Sequence, residues 1–295
     1  MAKKLSFIFK RLFITIWANR LRTQMQHFQI SQFLQISGIG AASGIVNYNK
    51  SLYIISDSAS FLYQYQLERN ILIKHSLIAN ASENIIKKEK PDFEAITLHK
   101  NNLHIYGSGS TKNRCQSPIF DVTNNQVVLE NKSDLYNQIK KTAQISSEEL
   151  NIEGAFFYQE KLYLLQRGNG INAKNGIILV HNNTKIEYSA IDLPKIKHVI
   201  TSFTDAILVD KTVYFLASAE DSASTYEDGE VLGSIIGAIN IETYKVEFTL
   251  QISNNQKFEG LTLHSSNISE INFLLCEDND TETLQTTIYK LKLTK

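Results

Sequence analysis

Short segments in which apolar and polar residues alternate follow one another from about residue 28 to the end of the chain, with polar turns between them. Alternation with a period of two is typical of β-strands that are buried on one side. The segments come in groups, and each group opens with a polar residue followed by Gly or Ala. The five openings are Ser43-Gly44, Glu94-Ala95, Glu153-Gly154, Asp205-Ala206 and Glu259-Gly260.

The small residues of these openings recur at intervals of 51, 59, 52 and 54 residues. A repeat of this length, with four strands in each unit, is typical of the blade of a β-propeller. Tyr (13) and Phe (15) are abundant while Pro (3) and Met (2) are scarce, which suits many short strands. The pattern therefore predicts an all-β protein, a five-bladed β-propeller.

The fifth repeat has only three strands before the chain ends at Lys295. Residues 27–37 precede the first repeat and have no other partner, and residues 34–37 (Leu-Gln-Ile-Ser) repeat the sequence of residues 250–253. A missing fourth strand would leave an open sheet edge. We therefore predict that the N-terminal strand closes the last blade, so that the propeller spans residues 27–295.

Residues 1–26 form a separate, basic N-terminal segment. Apolar side chains recur at helical spacing between Leu5 and Leu21, but Lys10 and Arg11 interrupt a run too short to span a membrane. The segment is either an amphipathic helix on an anionic membrane surface, or it is disordered or packs its apolar side chains against the propeller domain. We favour the second interpretation and expect a cytoplasmic protein, with peripheral membrane attachment or export as alternatives.

The overall charge excludes one class of partner. Lys+Arg and Asp+Glu are equal at 30 each, and no aromatic-basic interleaving is present, so we expect no nucleic acid. The two cysteines, Cys115 and Cys276, are too few for a disulfide framework, and we interpret them as core thiols. We expect a monomer.

The acidic residues of the repeat openings are the first candidate site. The first strand of each blade lines the channel of a propeller, so these acids should form a ring with Ser43 in the fifth place. Like charges ~4 Å apart cost about 4 kcal/mol per pair at an effective dielectric of ~20. The predicted metal ligands are Glu94, Glu153, Asp205 and Glu259.

An all-oxygen set without Cys or His favours Ca²⁺, with Mg²⁺ as the alternative, over Zn²⁺. The competing interpretation is that each acid accepts hydrogen bonds from the amides of the next blade and binds no ligand. Repeats copy structural residues as readily as functional ones, so the pattern leaves both interpretations open.

The loops after the second strands should open on the same face and bind a small anionic molecule or a protein ligand. At one shared offset these loops carry Asp57, Ser108, Arg167, Ser218 and Glu277. The candidates for substrate binding are Arg114, Arg167, Asn169 and Glu220, and the candidates for catalysis are Asp221, Glu277 and Arg167. Arginine suits a phosphate or carboxylate because it donates two parallel hydrogen bonds. The alternative is that each arginine pairs with nearby acids.

Several stretches resemble a known group of proteins. Ser43-Gly44-Ile45, the stretch 52–57 and Phe258-Glu259-Gly260-Leu261 resemble the repeats of bacterial phytase-like and SdiA-regulated propellers. The stretches 167–170 (Arg-Gly-Asn-Gly) and 226–230 (Tyr-Glu-Asp-Gly-Glu) resemble an uncharacterised Bacteroidetes family within that group. The resemblance implies channel-facing glutamates that bind calcium, which map onto Glu94, Glu153, Glu259 and, by position, Asp205. This chain differs in having five repeats rather than six.

Two classes of function remain. The first is a metal-dependent hydrolase of phosphoesters or lactones, in which a water on the ion attacks, Asp221 or Glu277 is the general base and Arg167 holds the substrate anion. The second is a non-catalytic binding propeller with a structural ion. The sequence has no Walker loop, G-x-S-x-G or H-E-x-x-H motif.

Overall fold

The computed structural model describes residues 27–294 except 169, 171, 173, 183–184, 223–228 and 279–283. The predicted N-terminal segment 1–26 and the candidate Asn169 therefore lie outside the described residues. No helix within the described ranges has the length and apolar character needed to cross a membrane.

Five antiparallel four-stranded sheets form the blades, which confirms the predicted five-bladed β-propeller. Blade 1 contains β2 (Ala42–Tyr48), β3 (Ser51–Ser56), β4 (Phe61–Gln66) and β5 (Ile71–Ser76). Blade 2 contains β6 (Phe93–His99), β7 (Asn102–Gly107), β8 (Gln116–Asp121) and β9 (Val127–Asn131). Blade 3 contains β10 (Ile152–Tyr158), β11 (Lys161–Gln166), β12 (Gly176–Asn182) and β13 (Lys185–Ala190).

Blade 4 contains β16 (Ser202–Val209), β17 (Thr212–Asp221), β18 (Glu230–Asn240) and β19 (Val246–Ser253). Blade 5 contains β20 (Lys257–Ser266), β21 (Glu270–Asp278), β22 (Gln285–Thr294) and β1 (Phe28–Ser37). The first strands β2, β6, β10, β16 and β20 contact one another in ring order, so they surround the channel. We call the end of the channel where these strands begin the channel mouth.

Two additions lie between blades. Helix α1 (Ser133–Ala143) joins blades 2 and 3, and the hydroxyl of its Tyr136 donates a hydrogen bond to the carbonyl oxygen of Gly107 at 2.7 Å. A small hairpin of β14 (Lys195–Ile196) and β15 (Val199–Ile200) joins blades 3 and 4. Both follow the outermost strand of one blade and lead to the first strand of the next.

The N-terminal strand closes the ring as predicted. Strand β1 pairs antiparallel with β22, from Phe28 opposite Leu293 to Ser37 opposite Gln285. Ile36 is only 2% exposed and belongs to a cluster of buried apolar residues from blades 1 and 5. This strand therefore fills the edge of blade 5 and supplies part of the apolar contact across the seam with blade 1.

Each first strand contains a β-bulge one or two residues after its start. The register shifts lie between Ala42 and Gly44 and at the four equivalent places of the other blades. A bulge turns one side chain away from the alternation of the strand. The five bulge residues are Ser43, Glu94, Glu153, Thr204 and Glu259.

The residue after each bulge is small in four of the five blades because the next blade passes close to it. A Cβ atom added to Gly260 would lie 2.4 Å from Sγ of Cys276 and 2.9 Å from the backbone nitrogen of Ile45. A Cβ atom added to Gly154 would lie 3.1 Å from the backbone nitrogen of Ala206. Close packing of neighbouring first strands thus selects small residues here.

Replacing Ile36 with Ala should lower the free energy of unfolding by roughly 2–5 kcal/mol, because it leaves a cavity between the closing strand and blade 1. Chemical denaturation of the full chain measures this change. Gln35→Ala, at the exposed neighbouring position of the same strand, is the control and should stay within about 0.5 kcal/mol. Equal effects of both substitutions would contradict the burial of this strand in the seam.

Candidate functional site

Three glutamates from different blades occupy bulge positions at the channel mouth. Glu94, Glu153 and Glu259 come from blades 2, 3 and 5, and all three are buried. The hydroxyls of Ser43 and Thr204 fill the other two positions. They donate to the carbonyl oxygens of the next blade, at 2.5 Å to Phe93 and 2.6 Å to Phe258. The bulge ring therefore holds three carboxylates rather than the predicted four.

Asp205 does not share the position of the three glutamates. It follows the bulge residue Thr204 and stands where the other blades have Gly or Ala. Its Oδ1 accepts the backbone N–H of Ala206 and its Oδ2 accepts that of Leu261 in the next blade, both at 2.7 Å. The predicted equivalence of Asp205 with the glutamates is wrong, because a slip of one residue moves a strand side chain to the opposite face.

Arg167 connects blades 3 and 4 at the mouth. Its Nη1 lies 3.1 Å from Oε1 of Glu153 and its Nη2 lies 2.7 Å from Oε1 of Glu220. Its Nε donates to the hydroxyl of Ser202 at 3.3 Å. Strand β17 positions Glu220 because it continues past the blade edge towards the mouth.

Lys257 continues the same network into blade 5. Its Nζ lies 3.1 Å from Glu220, 2.8 Å from Glu259 and 3.4 Å from Asp278. A buried lysine with three carboxylate partners has its charge well compensated, whereas removal of either kind of partner would leave a buried charge unpaired. Arg167 and Lys257 together link Glu153, Glu220, Glu259 and Asp278.

A second network joins blades 1 and 2. Nζ of Lys90 contacts Oδ2 of Asp57 and lies 2.8 Å from Oδ1 of Asp92. Nη1 of Arg114 lies 2.7 Å from Oδ2 of Asp92, and the Ser108 hydroxyl donates to the same oxygen at 2.5 Å. The Asp92 carboxylate thus has three partners, with Lys90 at Oδ1 and both Arg114 and Ser108 at Oδ2.

Negative charge is in excess in the two networks taken together. Among the described residues they contain seven carboxylates and four cationic side chains. The carboxylates are those of Asp57, Asp92, Glu94, Glu153, Glu220, Glu259 and Asp278, and the cations are Lys90, Arg114, Arg167 and Lys257. Glu94 forms no ion pair with any cation in the described part of the chain.

Two buried oxygens at the mouth lack a hydrogen-bond partner among the described residues: Oδ1 of Asp57 and Oε2 of Glu153. Glu153 is only 1% exposed, and its other oxygen accepts from Arg167 and from the side chain of Asn151. A buried polar oxygen without a partner is costly. These two atoms mark the places where the networks lack positive charge or a donor.

The protonation preferences of the carboxyls differ sharply within this small volume. Burial raises the pKa of Glu94 well above its usual range, and the neighbouring Glu153 and Asp92 add to the shift. Burial likewise raises the pKa of Glu259, against the opposing effect of Lys257. For Glu220 burial acts in the same direction, but Arg167 and Lys257 outweigh it and lower its pKa to about 2. Neighbouring cations therefore decide which carboxyls stay ionised.

One group at the mouth has the geometry of a metal site. Asp57, Asp92 and Glu94 each offer an oxygen, and these ligand atoms all lie within 4.8 Å of one another. No other group of three possible ligands among the described residues meets the same test. The set fits a hard cation, because it is composed of carboxylates and one of its oxygens is buried without a hydrogen-bond partner in the part of the chain that the structure describes.

Among the remaining predicted residues, Arg114 contacts this group through Asp92, whereas Asp221 and Glu277 have partners outside it. Asp221 pairs with the exposed His198 at 3.1 Å. Oε2 of Glu277 accepts from the hydroxyl of Tyr289 at 2.7 Å and from Nε2 of Gln256 at 3.2 Å. Arg114 and Arg167 are already paired with carboxylates, as the alternative interpretation of the arginines expected.

Sequence reasoning missed Lys90, Asp92 and Lys257. The sequence did contain a signal. Lys257 lies two residues before the bulge residue Glu259, and Lys90 lies four residues before the corresponding Glu94. A lysine just upstream of an acidic bulge residue on a first strand is thus a candidate partner for the acids of the mouth.

Residues 38–293 match the family of unknown function DUF6929. The chain belongs to the DUF6929 family. No curated relative matches the sequence. The match covers the five blades from just after the closing strand β1 almost to the end of β22. The narrower Bacteroidetes and phytase-like resemblance stays a prediction.

Solved structures of several propellers are similar to this DUF6929 chain. An exo-1,5-α-L-arabinanase from a bovine ruminal metagenomic library has 8% identity and a TM-score of 0.52, covering 90% of this chain and 99% of its own. Bacteroides ovatus xyloglucan PUL GH43B has 8% identity and a TM-score of 0.51, covering 89% and 54%. Myxococcus xanthus glutaminyl cyclase has 9% identity and a TM-score of 0.49, covering 90% and 97%. At such identities the first two similarities show the fold alone.

Replacing Asp205 with Asn should lower the free energy of unfolding by roughly 1–3 kcal/mol, because the amide NH₂ would face one of two buried backbone N–H groups. Chemical denaturation measures the loss. Asp210→Asn in an exposed turn is the control and should be neutral. Unchanged stability of the Asp205 variant together with weaker Ca²⁺ binding would instead support the predicted role of Asp205 as a ligand.

The contribution of Glu220 to stability should depend on pH. Its pKa in the folded state, about 2, lies below its usual value, so its stabilisation is present above pH ~4.5 and is lost as the pH falls towards 2. The stability difference between wild type and Glu220→Gln should therefore shrink between pH 7 and pH 3.5. Glu247→Gln, at an exposed position of β19, should show no such trend. A difference that stays constant with pH would contradict the assigned ion pairs.

Proposed function

We propose that this DUF6929 propeller binds a divalent cation at the channel mouth through Asp57, Asp92 and Glu94. The observation that carries the proposal is the buried Oδ1 of Asp57, which has no hydrogen-bond partner among the described residues and lies in a group of three carboxylates with ligand atoms within 4.8 Å of one another. Ca²⁺ suits this set because it prefers several carboxylate oxygens in flexible geometry, and Mg²⁺ is the alternative. Water and backbone oxygens would complete the coordination.

This proposal moves the ion from the predicted ring towards blades 1 and 2. Glu153 and Glu259 are paired with Arg167 and Lys257, and among the described residues neither belongs to a group of three carboxylates with ligand atoms within 4.8 Å of one another. Both oxygens of Asp205 accept backbone N–H groups. Of the four predicted ligands, Glu94 is the one that supports the proposed site, where Asp57 and Asp92 join it.

We favour a binding propeller over a hydrolase. Both arginines predicted to hold an anionic substrate are engaged by carboxylates, and Asp221 and Glu277 have partners of their own. An ion at the mouth would give a small anionic molecule or an acidic group of a protein ligand a direct contact. If the chain is instead a hydrolase, a water on the ion would supply the nucleophile.

Isothermal titration of the full chain with Ca²⁺ and Mg²⁺ tests the site. Glu94→Gln should weaken Ca²⁺ binding at least about tenfold, which corresponds to the loss of about 1.4 kcal/mol of binding free energy. Glu89→Gln, an exposed carboxylate on the connector before β6, is the matched control and should bind as wild type does. Saturating Ca²⁺ should also raise the melting temperature of wild type, because a ligand that binds only the folded state stabilises it.

If Ca²⁺ produces neither binding heat nor a higher melting temperature in the wild-type protein, the proposed site is excluded. A panel of p-nitrophenyl phosphate and lactones, assayed with Ca²⁺ and with EDTA, separates the two function classes. Hydrolysis that requires Ca²⁺ and is lost in Glu94→Gln would establish the hydrolase instead of the binding propeller.

A further inference from the structure

Lys90 occupies the position where a cation in the proposed site would be needed. Its Nζ contacts Oδ2 of Asp57 and lies 2.8 Å from Oδ1 of Asp92. These are two of the three residues that offer metal ligands. The ammonium group of this chain therefore competes with a bound ion for the same two carboxylates.

The charge balance of the site changes in a defined way when Lys90 leaves. Counted with all three carboxyls ionised, as a metal ion would require, the group has a net charge of −1 while Lys90 and Arg114 are in place. Without Lys90 the same group has a net charge of −2, which one divalent cation neutralises. Exchange of the ammonium group for a divalent ion thus leaves no net charge in the site.

Lys90 and Arg114 differ in how firmly they are held. Arg114 also donates to the hydroxyl of Ser110 at 3.1 Å and to the carbonyl oxygen of Lys87 at 3.2 Å, so several groups fix its guanidinium. Nζ of Lys90 contacts only the two aspartates among the described residues. Its flexible four-carbon stem starts from the connector between β5 and β6, next to the exposed Lys88 and Glu89.

We propose that Lys90 is a tethered competitor that determines how tightly the channel mouth binds a divalent cation. In the ion-free protein its ammonium group neutralises Asp57 and Asp92, and a bound ion displaces it towards solvent. The inference rests on the proposed site at Asp57, Asp92 and Glu94. It assigns the affinity of that site to a residue that does not itself coordinate the ion.

Calcium titration of Lys90→Met in the full chain tests the proposal. The variant keeps the volume of the side chain but removes its charge, so its Kd for Ca²⁺ should fall at least about tenfold. Lys88→Met, at the exposed position two residues earlier, should bind as wild type does. An unchanged or higher Kd in Lys90→Met overturns the proposal, provided that its circular dichroism spectrum is that of wild type.

A second measurement uses the wild-type protein and does not depend on the folding of a variant. Acetylation of lysines by acetic anhydride, followed by peptide mass spectrometry, should modify Lys90 several-fold faster in saturating Ca²⁺ than in EDTA, with Lys88 as the internal reference. A Lys90 rate that stays the same while Ca²⁺ binds overturns the competition but leaves the proposed site intact. If neither wild type nor Lys90→Met binds Ca²⁺, the proposed site itself fails.

Discussion

Burial of carboxylates at the centre of the ring is the constraint on which the organisation of this propeller depends. The β-bulge in each first strand turns one side chain towards the channel, and in three blades that side chain is a glutamate. Removing such charges from water is expensive unless they are paired and hydrogen-bonded. Lysine and arginine side chains at the mouth compensate the charge of these buried acids.

The pairing has a mechanical consequence, because some of its ion pairs cross between blades. Arg167 connects blades 3 and 4, and Lys257 connects blades 4 and 5 through Glu220. Apolar side chains also pack between the blades, and such contacts are not directional. Ion pairs with fixed partners add geometric specificity at the mouth, so the same residues that compensate buried charge also orient the loops around it.

The cations do not compensate all of the negative charge at the mouth, and part of the uncompensated charge lies beside Asp57 and Glu94. Within the described ranges, Oδ1 of Asp57 is buried without a hydrogen-bond partner, and the nearby Glu94 forms no ion pair with a cation. Structural ion pairs alone would be expected to satisfy such atoms. The uncompensated part of the centre, rather than the presence of acids in general, distinguishes a candidate binding site here from a stabilising network.

The propeller was predictable from the residue pattern alone, because the alternation of the strands and the length of the repeat can be seen in the linear sequence. The closing strand at residues 27–37 followed from the missing fourth strand of the fifth repeat. The small residue at position 260 and the acid at 259 were likewise visible as parts of one repeated pair. The position of Asp205 was not, because its motif is shifted by one residue and only strand pairing reveals which residue forms the bulge.

The partners of the acids were equally hidden. Lys90, Arg114 and Lys257 lie on different blades or connectors, and nothing in their local sequence states which carboxylate each will meet. Sequence by itself determined the repeat, the strands and the acids that the repeat copies, since these follow from local periodicity. Only the tertiary structure decided which acids are neutralised, because ion pairing depends on distances between blades that the chain order does not contain.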